Sequence, residues 1–159
     1  MSYPVPSCGS WEIDLSSNEV DSWLSRWHDV ATRVRANEAL ARDLVKAARV
    51  NVRRAQRALK DGDLDAAVIW AEAAVLNGAD AVMQRDGVRV RGTERAHEAR
   101  FNYPSLPEAF KRNSRLIHRA RGLRNIAMYE GGGRVSAREA QAIVVVCEQT
   151  TREVAVLLH

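Results

Sequence analysis

The chain has 159 residues, 46% of them hydrophobic and 28% charged, a size and balance that fit one globular domain with a short appendage and exclude disordered, collagenous and disulfide-stapled classes. Its longest uncharged runs, Met1–Trp11 and Ala140–Cys147, fall far short of the roughly 20 residues that span a bilayer. No basic stretch followed by an apolar one opens the chain, so the sequence reads as cytoplasmic with no membrane partner. Lys and Arg outnumber Asp and Glu by 24 to 20, an excess too small on its own to demand a polyanionic partner.

In chain order, Ser16-Ser-Asn-Glu19 is a capping signal that predicts a first helix over about residues 17 to 35, with Val20, Leu24, Trp27, Ala31 and Val34 facing inward. Trp11, Trp23 and Trp27 make this extension, residues 1–36, rich in tryptophan. A second helix is predicted at about 37 to 60, from the apolar recurrence of Leu40, Leu44, Ala47, Ala48, Asn51, Ala55, Ala58 and Leu59. A third follows at about 63 to 86, where Leu64, Ala67, Val68, Ala71, Val75, Gly78 and Val82 form a stripe of mostly small side chains that suits the middle of a bundle. Thr93 to Phe101 adds a short helix. Ser105–Glu108 and Ser136–Glu139 open two more, at about 105 to 130 and 136 to 158, the last with Ala140, Ile143, Val144, Cys147, Thr151, Val154 and Leu158 on one side. No alternating strand pattern of useful length occurs, and the prediction is an all-α, up-and-down four-helix bundle over residues 37–159 with an additional N-terminal helix.

Most familiar site chemistries fail on spacing. Asp61, Asp63, Asp65 and Glu72 fall where calcium-loop acids would, but the obligatory glycine position holds Ala66 inside a helical stretch. Gly131-Gly-Gly-Arg134 lacks the preceding strand and the Lys-Ser/Thr ending of a phosphate loop. His28, His97, His118 and His159 show no metal-ligand spacing, and Cys8 and Cys147 read as free thiols. No cofactor or metal is expected.

The surplus positive charge lies in two stretches. Arg42, Lys46, Arg49, Arg53, Arg57 and Lys60 repeat every three or four residues, a cationic stripe beside the apolar one. Such a stripe fits a phosphate backbone, where each neutralised phosphate releases a counterion, or a solvated face partly paired with acids. The second stretch runs from Lys111 to Arg124 without an acid and leads into Arg119-Ala-Arg121-Gly-Leu-Arg124-Asn125-Ile-Ala-Met-Tyr129-Glu130.

That segment, with the helices before and after it, resembles the HEPN domain, a small α-helical bundle common in prokaryotic toxin–antitoxin and RNA-processing systems. The resemblance covers roughly Ala39 to Leu158. Arg124-Asn125 match the start of the family's Arg-Asn-x-x-x-His signature, and Tyr129 stands at the histidine position. His97 and Phe101 resemble further features of some members. The resemblance implies a metal-independent ribonuclease, homodimeric, in which arginines and imidazoles of two subunits meet in one cleft. Arg124 and Arg121 would stabilise charge on the phosphate, Asn125 would position it, Tyr129 would donate a proton or orient RNA, and Arg119, Arg49, Arg53 and Arg57 would add RNA contacts. Tyrosine, with a pKa near 10, is a poor base at neutral pH, so a catalytically degenerate RNA-binding relative is equally implied. The alternative is a non-catalytic interaction module partnering a nucleotidyltransferase-like antitoxin. A purely structural reading of the segment has Arg124 capping the helix C-terminus or pairing with Glu130 or with an acid on a facing helix, Asn125 satisfying a loop carbonyl, and Tyr129 as a core aromatic with its hydroxyl at the rim.

Overall fold

In a computed structural model of the chain the described residues are 15–92 and 94–159. Seven helices and two short strands follow one another: α1 (Leu15–Arg26), β1 (Ala31–Arg33), α2 (Glu38–Lys60), α3 (Leu64–Asp86), β2 (Val88–Val90), α4 (Glu94–Phe101), α5 (Glu108–Arg112), α6 (Ser114–Tyr129) and α7 (Ala137–Leu157). Helices α2, α3, α6 and α7 form the bundle, and the fold is all-α apart from the small ribbon.

The long helices begin where short polar side chains satisfy free amides. Asn37 Oδ1 accepts from the Leu40 amide at 2.9 Å, and Asp63 Oδ1 accepts from the Ala66 amide at 3.1 Å. Ser136 Oγ accepts from the Glu139 amide at 3.1 Å while the Glu139 carboxylate receives the Ser136 amide. The capping box predicted there is formed.

Helix α3 lies at the centre, packed on α2, α6 and α7. Its alanines 67, 71, 74, 79 and 81 are buried along with Val68, Val75 and Val82, and they let the neighbouring helices approach closely. By length and hydropathy α3 is also the one helix among the described residues able to cross a membrane, but its apolar surface is spent on the other bundle helices. On α2 the buried side is Ala41, Val45, Ala48, Asn51, Ala55 and Ala58. Leu40 is exposed, so the predicted stripe is displaced by one position at its start, where the cap sets the helix phase.

The first helix is shorter than expected. It ends at Arg26, the chain turns through Trp27–Val30, and Ala31–Arg33 forms β1, pairing antiparallel with β2 in the register Ala31 to Val90, Thr32 to Arg89 and Arg33 to Val88. Three-residue strands carry no readable alternation, and their pairing is long-range. The ribbon and α1 are fastened to the bundle: Trp23 Nε1 donates to the Ala99 carbonyl at 3.0 Å, its ring meets Tyr103 edge-on at 4.9 Å, and the Tyr103 hydroxyl donates to Asp86 at 2.7 Å. Trp11, Cys8 and the side chain of Ser16 lie outside the described residues.

The predicted helix over 105–130 is two helices, broken at Asn113. Ser105 does not cap it. Glu153 of α7 instead accepts from the Ala109 amide at 2.9 Å and pairs with Arg112 at 3.2 Å, while Asn113 Nδ2 donates to the Ala109 carbonyl at 2.8 Å. The cap of α5 thus comes from a distant helix.

Gly87 ends α3 in the left-handed region at φ 73, and a Cβ there would lie 2.9 Å from the Val34 carbonyl oxygen, which belongs to the turn between β1 and α2. The Val34 amide also donates to the Gly87 carbonyl at 2.9 Å. Gly87→Ala is therefore expected to destabilise by about 2 kcal/mol or more, from positive φ and backbone crowding together. Urea unfolding followed by circular dichroism would measure it.

Candidate functional site

Helix α6 carries most of the residues singled out in the sequence, and the structure distributes them over three surroundings. His118, Arg121 and Asn125 recur at helical spacing and face α4 across a cleft of about 360 Å³, which Glu94, His97 and Glu98 close from the other side. Arg124 turns inward. Its Nε lies 3.6 Å from Glu72 Oε2 of α3, and its Nη1 donates to Asn125 Oδ1 at 3.2 Å. Tyr129 stands at the far end of the helix, 74% exposed, and lines no part of the cleft.

Glu72 is only 5% exposed in the middle of the bundle. Burial raises its carboxyl pKa, opposed by the guanidinium groups of Arg124, Arg121 and Arg100. A lone buried carboxylate would be costly, so this arginine cluster compensates it. Arg124 accordingly has a structural partner within its own subunit, whereas Arg121 pairs with no carboxylate among the described residues. Arg119 is also engaged: its Nε donates to Glu139 Oε1 at 2.9 Å and holds that carboxyl below the usual range. The same Glu139 completes the cap of α7, so Arg119 fastens α6 to α7.

The feature that sequence reasoning underweighted is the meeting of two imidazoles. His97 and His118 have ring centroids 6.0 Å apart, and His97 also meets Phe101 edge-on at 4.7 Å. His97 is 6% exposed and its Nε2 has no hydrogen-bond partner among the described residues. Burial, reinforced by the charges of Arg121, Arg100 and His118, holds its pKa down to about 3, so it is a neutral ring at physiological pH and no proton donor. His118, by contrast, is exposed. The signal available beforehand was the i, i+3, i+7 spacing of His118, Arg121 and Asn125, which places them on one side of a helix.

Arg49, Arg53 and Arg57 belong elsewhere. All three are exposed on α2; Arg49 and Arg53 line a separate cleft of about 420 Å³ between α2 and α7, and Arg57 lies one turn farther along the same side of α2. The predicted RNA-contacting set is thus divided between two faces.

No family model matches the chain, and neither the curated proteins nor the solved structures include a match to it. Among the described residues no cluster of three metal-ligating side chains occurs. The buried Cys147 thiol is pushed up to about 12 by burial, and its Sγ donates to the Val144 carbonyl at 3.0 Å, so it is unsuited to act as a nucleophile. What remains is an anion-receptive set: one guanidinium without a carboxylate partner, a side-chain amide and an accessible imidazole.

Proposed function

We propose that the protein acts on RNA through the α4–α6 cleft, in the manner of a HEPN-like domain, with Arg121 and Asn125 holding a backbone phosphate and His118 as the proton-carrying group. The observation that carries this reading is the convergence of Arg121, Asn125 and His118 on one cleft wall. Guanidinium and amide donors suit phosphate oxygens, and an accessible imidazole beside them can take a proton from a ribose hydroxyl. Glu94 and Glu98 on the facing wall disfavour a second phosphate there, which directs the backbone along α6. Arg124 has a supporting role on this reading, holding Asn125 through its Nη1 and neutralising Glu72 behind the wall. A homodimer with two such clefts facing each other across α6 would double the site.

Two observations favour a second reading. Arg124 is committed to Glu72, and Tyr129 lies away from the cleft, so the residues aligned with the HEPN signature do not form a reacting centre in one subunit. A binding module without cleavage, working with a nucleotidyltransferase-like partner, accommodates both facts.

Fluorescence anisotropy with a labelled single-stranded RNA tests the proposal. Affinity should fall steeply with salt, Arg121→Ala should weaken binding by roughly tenfold, and the salt slope should decrease by about one. A gel assay of the same RNA separates cleavage from retention, with His118→Ala expected to abolish cleavage and spare most of the binding. Unchanged affinity in Arg121→Ala would refute the assignment.

A further inference from the structure

The second cleft has a different character. Its floor is apolar, built from the half-buried Val52 of α2 and Ala155 of α7, and Val156, 72% exposed, stands at its rim. Its walls carry Arg49, Arg53 and Arg152, none of which pairs with a carboxylate among the described residues. The acid lining it, Glu148, receives a hydrogen bond from Gln56 Nε2 at 2.9 Å, which ties α7 to α2 across the cleft. Thr151 lines the cleft as well, nearly buried, and its hydroxyl has no partner among the described residues.

The cleft also continues along the helix pair. A neighbouring hollow lined by Arg42, Val45, Lys46 and Leu158 shares Arg49, Ala155 and His159 with it, its own two cations being paired with Glu38 and Asp43 of α2. From Arg42 to Gln56 the two together run about 21 Å along α2 at 1.5 Å per residue. A trough of that length, with an apolar floor and cationic walls, matches a helix of about four turns better than a compact small molecule, and its charge selects an acidic one.

We infer that the α2–α7 groove docks an acidic amphipathic helix of a protein partner, its apolar side on Val52, Ala155 and Val156 and its carboxylates on Arg49, Arg53 and Arg152. The inference stands apart from the RNA reading, which concerns other residues on another face. A nucleic-acid backbone would use the arginines but would leave the apolar floor and the exposed Val156 without a role, whereas a partner helix uses both.

The probe is a fluorescein-labelled designed peptide about four turns long, with leucine at every third or fourth position and glutamate between. Anisotropy should show saturable binding that weakens with salt, and a peptide with scrambled leucines or with lysine for glutamate should bind at least about tenfold less well. Arg49→Glu combined with Arg152→Glu, and separately Val156→Asp, should each cost at least about tenfold. All three positions are exposed, so circular dichroism melts should match the parent, and Arg49→Gln with Arg152→Gln provides a milder pair if they do not. Absence of binding by the acidic peptide, or full binding by Val156→Asp, would overturn the inference. So would displacement of the peptide by a single-stranded RNA whose own binding is lost in the arginine variants, because that would assign the groove to phosphate.

Discussion

Replacing Arg124 with methionine is expected to destabilise the protein by about 3 kcal/mol, because it removes the nearest guanidinium from the buried Glu72 carboxylate and leaves only the weaker opposition of Arg121 and Arg100. For a chain of this size that corresponds to a fall in Tm of roughly 6 to 12 °C. The second replacement, Glu72→Gln made together with Arg124→Met, should recover most of the loss, since it removes the stranded charge as well. The pH dependence provides an independent check. Burial raises the Glu72 carboxyl pKa in the folded state, so the folded protein binds that proton more tightly than the unfolded chain. The penalty is therefore absent below the ordinary glutamate range and grows as pH rises through the raised value. The gap between parent and Arg124→Met should be small at pH 4 and wide at pH 8. A gap independent of pH, or no rescue by Glu72→Gln, would show that Glu72 is not what Arg124 holds. Loss of RNA binding in Arg124→Ala would consequently say little about phosphate contact, and Arg121 is the position to vary.

The second large effect concerns His97. Its folded pKa is held down to about 3, against 6.5 for a free ring, so the unfolded chain takes up the proton first as pH falls. Stability from this residue is complete above about pH 6.5 and is lost progressively toward pH 3. At pH 4.5 the loss amounts to about 3 kcal/mol, on the rule of 1.36 kcal/mol per unit. His97→Phe removes the titration and the unpartnered Nε2 together while keeping an aromatic ring beside Phe101. At neutral pH this variant should lie within about 1 kcal/mol of the parent, and at pH 4.5 it should be the more stable of the two. Parallel urea curves at the two pH values measure both effects. Parallel acid loss in the two proteins would mean that the ring is not held neutral by burial.

Much of the architecture was legible because it is local. Ser136 with Glu139 caps the helix it precedes, the alanine-rich stripe of residues 64–86 identifies the central helix, and Gly87 stops it. Failures came where partners are distant in sequence. Glu153 caps α5 from another helix and Asn113 breaks the predicted 105–130 helix, neither of which periodicity encodes. The ribbon between Ala31–Arg33 and Val88–Val90 is too short to alternate.

The site divides in the same way. The helical spacing of His118, Arg121 and Asn125 was present in the sequence, but the wall facing it was not, and neither was the inward turn of Arg124 toward Glu72. Side chains adjacent in sequence, Arg124 and Asn125, serve the core and the cleft respectively, because successive positions on a helix point about 100° apart. A linear motif cannot separate them. The cationic stripe of α2 follows from spacing alone, while the apolar floor beside Arg49 and Arg53 depends on how α7 packs against it.

On the proposed reading, RNA phosphate is received on the α6 wall of the α4–α6 cleft. An NMR titration of labelled protein with a short single-stranded RNA, following the His118 imidazole and the Arg121 guanidinium resonances, tests it most directly. The account predicts saturable shifts at His118, Arg121 and the Asn125 side-chain amide, with Arg49, Arg53 and Arg152 unmoved. Shifts confined to those three arginines, or none at any of these groups, would contradict it.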